Sequence, residues 1–596
     1  MNTNALKKFA QEARRKLIEQ VSSKLEYVLN TDSPELREKA DQVRKLRETT
    51  NMSSKEEVID KVTYTWFNRF IALRFMDANE YQPIGIRVLT PKDGYTLPEL
   101  LDEAKQGHIP AELSVKNQHI FDLLHGKTPS ANAQDEAYKE LLIGACNHLN
   151  KVFPFLFERI NDYTELLLPD DLTSELSIVQ DIRDGMTIED CTEVEIIGWL
   201  YQFYISEKKD AVFASKTAVK KEDIPAATQL FTPRWIVEYM VQNTVGKLWL
   251  QNKPNSKLRE HMPYFIESPS VTADDYLKIN SVEEITLLDQ ACGSGHILVY
   301  GFELLAKIYE EEGYNPSDIP QLIIEKNLFG FEIDERASQL ASLALMMKAR
   351  SYNRRFFRKE VEPNILCYKD LPLTNEEINE AFTQIGFPLS DKLNHDLLTM
   401  QQATNFGSLI IPHTSKIEIE KAFEIIRYKV NTSDAFLSYK LEKLKIALEQ
   451  LLLLSNKYHC IADNPPYMGG GNMNKVLGDF VKKNYPDSKA DLMACFIEAG
   501  LHMLQPKGFL GMINQETWMF KTTYENLRAK LVKTSSIDSM LHLGTRVFKE
   551  LSGDVVRSTS FVIINSNTQN KGIYYKLIDY KSSDLMKYYQ ILTLFS

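Results

Sequence analysis

A chain of 596 residues is too long for one hydrophobic core, and its length predicts several domains. Hydrophobic residues make up 43% and charged residues 25%, the balance of an ordinary soluble globular protein. No apolar run reaches the roughly 18 residues needed to span a bilayer. The formal net charge of -11 argues against strong affinity for nucleic acid in this chain alone, because counterion release needs basic contacts; a local basic cleft stays compatible with it.

The first residues, Met1 to Val28, mix Lys7, Lys8, Arg14, Arg15 and Lys16 with Glu12, Glu19 and Glu26. They read as an amphipathic helix, since a signal peptide needs an apolar centre. Leu17, Val21, Leu25 and Val28 recur at helical spacing, as do Val58, Val62, Trp66, Phe70 and Leu73. Pro83–Pro98, with Gly85, Pro91 and Gly94, reads as a loop or short hairpin, and helical texture resumes over Ala137–Phe157. The expected division is therefore a helical N-terminal domain over residues 1–190. An α/β domain follows over 191–575, where short apolar runs alternate with helical stretches: Ile285–Leu288, Leu328–Ile333, Lys457–Ala462 and Phe509–Ile513. Within it, Asp370–Ser455 reads as an insertion (helical over about 375–455): a loop with Pro388 and Pro412, then a charged, solvated helix from about Ser433 to Leu454. The six cysteines form no CxxC pair, which fits a reducing cytoplasm and gives no zinc site; Cys292 reads as a buried space-filler.

Four short stretches carry chemistry. Gln229–Leu230–Phe231–Thr232–Pro233–Arg234 is, at its plainest, a helix start with Thr232 as cap and Pro233 in the first position. In Leu287–Leu288–Asp289–Gln290–Ala291–Cys292–Gly293–Ser294–Gly295–His296–Ile297–Leu298 an apolar strand ends in a carboxylate, turns through small residues and enters a helix. Gly293 and Gly295 let the backbone approach a ligand, while Leu298 stands where a dinucleotide fingerprint needs its third glycine. Gly330–Phe331–Glu332–Ile333–Asp334 closes a second strand, where an acidic residue can accept hydrogen bonds from ribose hydroxyls and Asp334 can cap the next helix. Ile461–Ala462–Asp463–Asn464–Pro465–Pro466–Tyr467 runs a strand into two prolines, which fix the backbone and remove two N–H donors. Gly469–Gly470–Gly471 after it reads equally as a mobile lid or a plain connector, and Lys489–Ala490–Asp491–Leu492 opens a helix to Leu504.

This set resembles the large gamma-type adenine-N6 DNA methyltransferases of restriction systems. Over the N-terminal stretch Met1–Ala10 with Ala13–Arg14–Arg15, Trp66–Phe67–Asn68–Arg69–Phe70 and Ile197–Gly198–Trp199–Leu200–Tyr201–Gln202, it is similar to the PglX family of bacteriophage-exclusion (BREX) systems. The resemblance implies a Rossmann-like S-adenosylmethionine-dependent methyltransferase domain with a mainly parallel seven-stranded sheet. It implies S-adenosyl-L-methionine as cofactor, held by Thr232, Pro233, Asp289, Ala291, Gly293, Gly295, Glu332, Ile333, Asp370 and Asn464, with Ile333 on the cofactor's adenine ring and Asp370 at its amino group. The catalytic residues implied are Asn464, Pro465, Pro466 and Tyr467: Asn464 and the Pro465 carbonyl accept from the target amino group and Tyr467 stacks on the flipped base. No metal is implied. The implied partners are double-stranded DNA presenting a flipped adenine, and other BREX components or a separate target-recognition chain, with no membrane. Asn514–Trp518 and Gly553–Asp554–Val555–Val556 resemble later family segments without an assigned chemistry. Members of the family carry a target-recognition domain after the methyltransferase domain, so residues 576–596 are expected to be the start of a region missing here. An RNA or protein-glutamine methyltransferase, and an assembly or regulatory subunit without turnover, stay open as alternatives.

Overall fold

The computed structural model describes residues 2–158, 163–215, 217–267, 276–545, 547, 556–568 and 571–578. The family-like segment at Gly553–Val555 and the residues from 579 to the end lie outside these. The chain forms two compact units, Met1–Glu207 with Ser342–Val361, and Lys208–Ala341 with Glu362–Ser596. The boundary falls inside the helix Glu195–Ser215, later than the change in sequence texture near 190, because that helix starts before the β-rich region does.

The first unit is helical. Helix Thr3–Asn30 buries Leu6, Ala10, Ala13, Leu17, Val21, Leu25 and Val28, one stripe at spacings of three and four. Helix Lys55–Ala78 begins at a capping box, Ser54 with Glu57, and buries Trp66, Phe67 and Phe70. The Pro83–Pro98 stretch forms no strand. It is a loop gathered on the buried Asp77 carboxylate, which accepts the N–H groups of Val88, Leu89 and Thr90 at 2.9, 2.7 and 2.9 Å. Burial raises the Asp77 carboxyl above its ordinary range.

The second unit carries, among the described residues, one sheet of eight strands: β1 Leu287–Asp289, β2 Leu328–Glu332, β3 Asn364–Cys367, β4 Tyr458–Asp463, β5 Leu504–Gln515, β6 Ser536–Gly544, β7 Ser558–Ile564 and β8 Ile573–Lys576. Their order is β3-β2-β1-β4-β5-β7-β6-β8. Pairing is parallel from β3 through β5; β7 is antiparallel to both β5 and β6, and β8 runs parallel with β6, so β7 alone opposes the rest. The Rossmann-like, mainly parallel sheet expected from the sequence is present, with β8 added at one edge. Strand order reverses between β1 and β4, and ligands of open α/β sheets bind outside the carboxyl ends of strands at such a point.

In the insertion between β3 and β4, helices also occupy much of the stretch read as a loop with Pro388 and Pro412, and the helix expected from about Ser433 is packed and not solvated. The insertion is a small helical layer with helices Asn375–Ile385, Asp391–Thr399, Lys416–Val430 and Ala435–Ser455. Ile378, Phe382, Leu397, Ile426, Leu441, Leu444, Leu448 and Leu451 are buried in the same core as Ile461 of β4. Charge on one face hid an apolar stripe on the other. No helix among the described residues is long and apolar enough to cross a membrane.

Candidate active site

The switch point between β1 and β4 opens into a cleft of about 940 Å³, part of it open to solvent. Thr232, Asp289, Ala291, Gly293, Glu332, Ile333, Asn464 and Pro466 all line it, so four segments spread over more than 230 positions of sequence converge there. Pro233, Gly295, Asp370, Pro465 and Tyr467 do not line it.

The loop after β1 is tied to β2. Cys292 N–H donates to the Phe331 carbonyl at 2.9 Å, and Gly293 N–H donates to Glu332 Oε2 at 2.8 Å. Glu332 Oε1 accepts from the N–H groups of Ile333 and Asp334 at 2.8 and 2.9 Å. Three N–H donors hold this carboxylate at the cleft wall and leave lone pairs for further donors. Burial raises its pKa to about 7 despite those bonds, and burial likewise brings Asp289, which accepts from Ala291 N–H at 3.2 Å, to about 8.

The two glycines of the loop have different reasons to be glycine. Gly293 has φ +53° beside the cleft, and a Cβ there would meet only the Gln229 side chain, at 3.3 Å. Gly295 has φ +81°, and its Cβ would lie 3.0 Å from both Cα and Cβ of Ala341. Gly295 therefore serves helix packing, not ligand approach.

Thr232 is not a helix cap. Pro233 is the N-cap of helix Arg234–Val241, and the Thr232 hydroxyl instead accepts from Asn464 Nδ2 at 3.1 Å. The second Nδ2 hydrogen goes to the Leu230 carbonyl at 3.2 Å. These acceptors fix the Asn464 amide, since a flipped amide would set its oxygen against the Leu230 carbonyl. Asn464 Oδ1 is buried with no protein partner. No donor among the described residues reaches the carbonyl of the buried Pro465. Tyr467 is half-buried and anchored, its hydroxyl donating to the Ile513 carbonyl of β5 at 2.9 Å.

Directly before Asn464, Asp463 is fully buried, and Gln290 Nε2 donates to its Oδ2 at 2.6 Å. Asp463 Oδ1 and Gln290 Oε1 are both buried acceptors without a donor. Burial, then the nearby Asp289, pushes the Asp463 carboxyl well above its ordinary range. A proton on this carboxyl would add a donor beside these two acceptors, in addition to the bond that already links the ends of β1 and β4.

Asp370 is not brought to the cleft. Its Oδ1 accepts from the Thr404 N–H and hydroxyl at 2.9 and 3.0 Å, and its Oδ2 is ion-paired with Lys221. The glycines after Tyr467 are partly pinned. Gly469 bridges to Asp491, Gly470 N–H donates to the Ala490 carbonyl at 2.9 Å, and Asp491 Oδ1 accepts from Met468 N–H at 3.0 Å. Asp491 also caps the helix Leu492–Met503, which gives the Lys489–Leu492 segment a structural part.

The sequence reading missed Asn405–Phe406–Gly407–Ser408–Leu409, a segment of the insertion that lines the cleft. Gly407 has φ +52°, and a Cβ there would sit 3.1 Å from Ile333 Cγ2. Ser408, 1% exposed, donates to the Gln290 carbonyl, and Phe406 stacks on Phe480 at 3.9 Å. Phe231, stacked on His296 at 4.3 Å, also lines the cleft.

Residues 326–548 match the model of the family described as Eco57I restriction-modification methylase. The chain is 39% identical over 554 residues to the adenine-specific methyltransferase BrxX of Escherichia coli O9:H4 (strain HS), covering 88% of this chain and 45% of that protein. It is 35% identical over an alignment of 636 positions to the adenine-specific methyltransferase PglX of Lacticaseibacillus casei (strain Zhang), covering 98% and 52%. The resemblance read from the sequence is borne out along most of the chain, which spans about half the length of these curated relatives. Among solved structures, the Type IIL restriction-modification enzyme MmeI in complex with DNA aligns with 98% of this chain and 60% of its own at 13% identity, with a TM-score of 0.46. The fold assignment stands on the strand order and needs no such match.

Proposed function

We propose that this chain transfers a methyl group from S-adenosyl-L-methionine to the exocyclic N6 of an adenine flipped out of double-stranded DNA, as the methylating component of a BREX-type defence system. The observation that carries the chemistry is Asn464: its amide donors are taken by Leu230 and Thr232, and its Oδ1 is a buried acceptor with no protein donor.

The adenine amino nitrogen is a poor nucleophile because its lone pair is delocalised into the ring. Asn464 Oδ1 and the Pro465 carbonyl accept its two hydrogens, which favours a geometry with the lone pair localised on nitrogen. The cofactor, when bound, supplies an electrophilic methyl on a sulfonium. Gly293 and Glu332 fit such a cofactor: an open backbone turn beside a carboxylate with lone pairs left for ribose hydroxyls. Ile333 and the segment 405–409 bound the same end of the cleft. Tyr467, tethered to β5, offers a fixed ring beside the reacting nitrogen for stacking. Transfer is direct, and the amino proton leaves to solvent after the new bond forms. Catalysis then rests on positioning. Target reading is assigned to a region after residue 576 or to a separate chain, and the enzyme to the cytoplasm.

Incubation with cofactor carrying a tritiated methyl and duplex DNA, RNA or protein tests this reading. Label in DNA is expected; label in RNA or protein with none in DNA would overturn it.

A further inference from the structure

Residues 348–359 of the first unit read Lys-Ala-Arg-Ser-Tyr-Asn-Arg-Arg-Phe-Phe-Arg-Lys, six basic residues and no acidic one. The whole chain has 70 Lys and Arg in 596 residues, against 81 Asp and Glu. Half of this stretch is cationic where fewer than one residue in eight is on average, and the sign opposes the net charge of -11.

The stretch is built, not frayed. Helix Glu335–Tyr352 ends at Asn353, whose Oδ1 accepts Arg355 N–H at 2.8 Å, and a 3₁₀ turn follows at Phe356–Arg358. Phe356 is fully buried, and Phe357 meets Phe153 edge-on at 5.0 Å. Arg350 belongs to this scaffold, with its guanidinium 4.7 Å from the centre of Tyr81 and 5.7 Å from that of Phe357. Arg354, Arg355 and Arg358 do not. All three are exposed, and among the described residues none forms an ion pair. Other exposed arginines, Arg37 and Arg44, have carboxylates at 2.7 and 3.1 Å. The three arginines fall within five positions of one another and stay unpaired among the described residues although Glu360 and Glu362 follow directly, so their charge is left to solvent or to an outside anion. Burial lowers the pKa of Arg350, and the charge on Arg354 lowers it further.

We propose that Arg354, Arg355 and Arg358 bind phosphates of a DNA duplex backbone without reading its sequence. This rests on the reading that the chain acts on DNA. Planar guanidiniums suit phosphate oxygens, and a repeating polyanion meets several at once. A local basic patch of this kind lets a chain of net negative charge hold DNA.

The test is fluorescence anisotropy of a labelled duplex of arbitrary sequence with the full chain, from low to physiological salt. The variants are R354S/R355S/R358S, the charge-keeping R354K/R355K/R358K, and the equally charge-reducing R44S/K45S/R47S on the exposed face of helix Ala40–Met52. The slope of log K against log salt is expected to shrink by about 0.9 for each phosphate no longer engaged, so by roughly 2–3 in the arginine-to-serine triple. The lysine triple and the helix control are expected to keep the wild-type slope, and cofactor affinity to stay unchanged in all. An unchanged slope in the serine triple while the wild type still methylates DNA would overturn the patch and leave the function standing. An equal loss in the helix control would reduce the effect to net charge and overturn it too. Wild-type chain that neither binds nor methylates duplex DNA would overturn both. Loss of binding to anionic phospholipid vesicles, with DNA binding intact, would assign the patch to a membrane surface instead.

Discussion

Replacing Asp463 with asparagine separates a buried neutral acid from a buried carboxylate. The folded carboxyl is raised well above its ordinary 3.8, chiefly by burial, so the folded chain keeps a proton that the unfolded chain releases. Stability contributed by this group is full below about pH 3.8 and falls as pH rises towards the folded value, by up to about 1.4 kcal/mol for each pH unit. Asparagine has the same shape, donates one N–H to Gln290 Oε1 and accepts from Gln290 Nε2, yet carries no titrating proton. Asp463→Asn is therefore expected to gain stability on the wild type as pH rises above the ordinary carboxylate range. Asp463→Ala leaves both ends of the buried Gln290 amide without partners and is expected to lose about 1–3 kcal/mol at every pH, with a cavity cost added. Urea unfolding followed by tryptophan fluorescence across this range measures both. A difference between wild type and the asparagine variant that does not change with pH would refute the neutral acid–amide pair.

Asn464→Ala is expected to lower methyl transfer by on the order of 10²–10³ or more while cofactor affinity stays nearly unchanged, read by single-turnover transfer and calorimetry. Glu332, at about 7 in the cofactor-free chain, accepts from hydroxyls best when ionised. Cofactor affinity is thus expected to weaken as pH falls below about 7, by up to about tenfold per unit. Glu332→Gln should bind more weakly with this pH dependence removed, again by calorimetry. Gly295→Ala is expected to destabilise by about 1–3 kcal/mol through its positive φ and the close approach of Ala341. Gly293→Ala, which meets only a flexible glutamine, should cost less stability and more cofactor affinity; paired thermal melts and titrations separate the two.

The cofactor loop, the acidic end of β2 and the Asn464–Tyr467 turn were legible in the sequence because each joins an apolar run to residues with narrow backbone demands. The strands β1, β2 and β4 fall within a residue or two of where those runs predict them. The insertion was not legible in the same way. The helix expected from about Ser433 is present as Ala435–Ser455, but the apolar stripes of the insertion are interleaved with charge, and the return of Gly407–Leu409 onto the cleft is a tertiary fact with no local pattern. Asp370 misled for a different reason. Its place at the cofactor's amino group came from the family resemblance alone, and it lies three residues beyond the end of edge strand β3, where Thr404 and Lys221 take its carboxylate. The partners of Asn464 were equally hidden: Thr232 looked like a helix cap, and only folding sets its hydroxyl 3.1 Å from an amide 232 positions away.

The most direct measurement is nucleoside mass spectrometry of duplex DNA digested after incubation with S-adenosyl-L-methionine and either the wild-type chain or Asn464→Ala. N6-methyladenine formed by the wild type and absent with the variant is the predicted result. A methyl group on another base or position, or N6-methyladenine formed equally well without Asn464, would contradict the assignment.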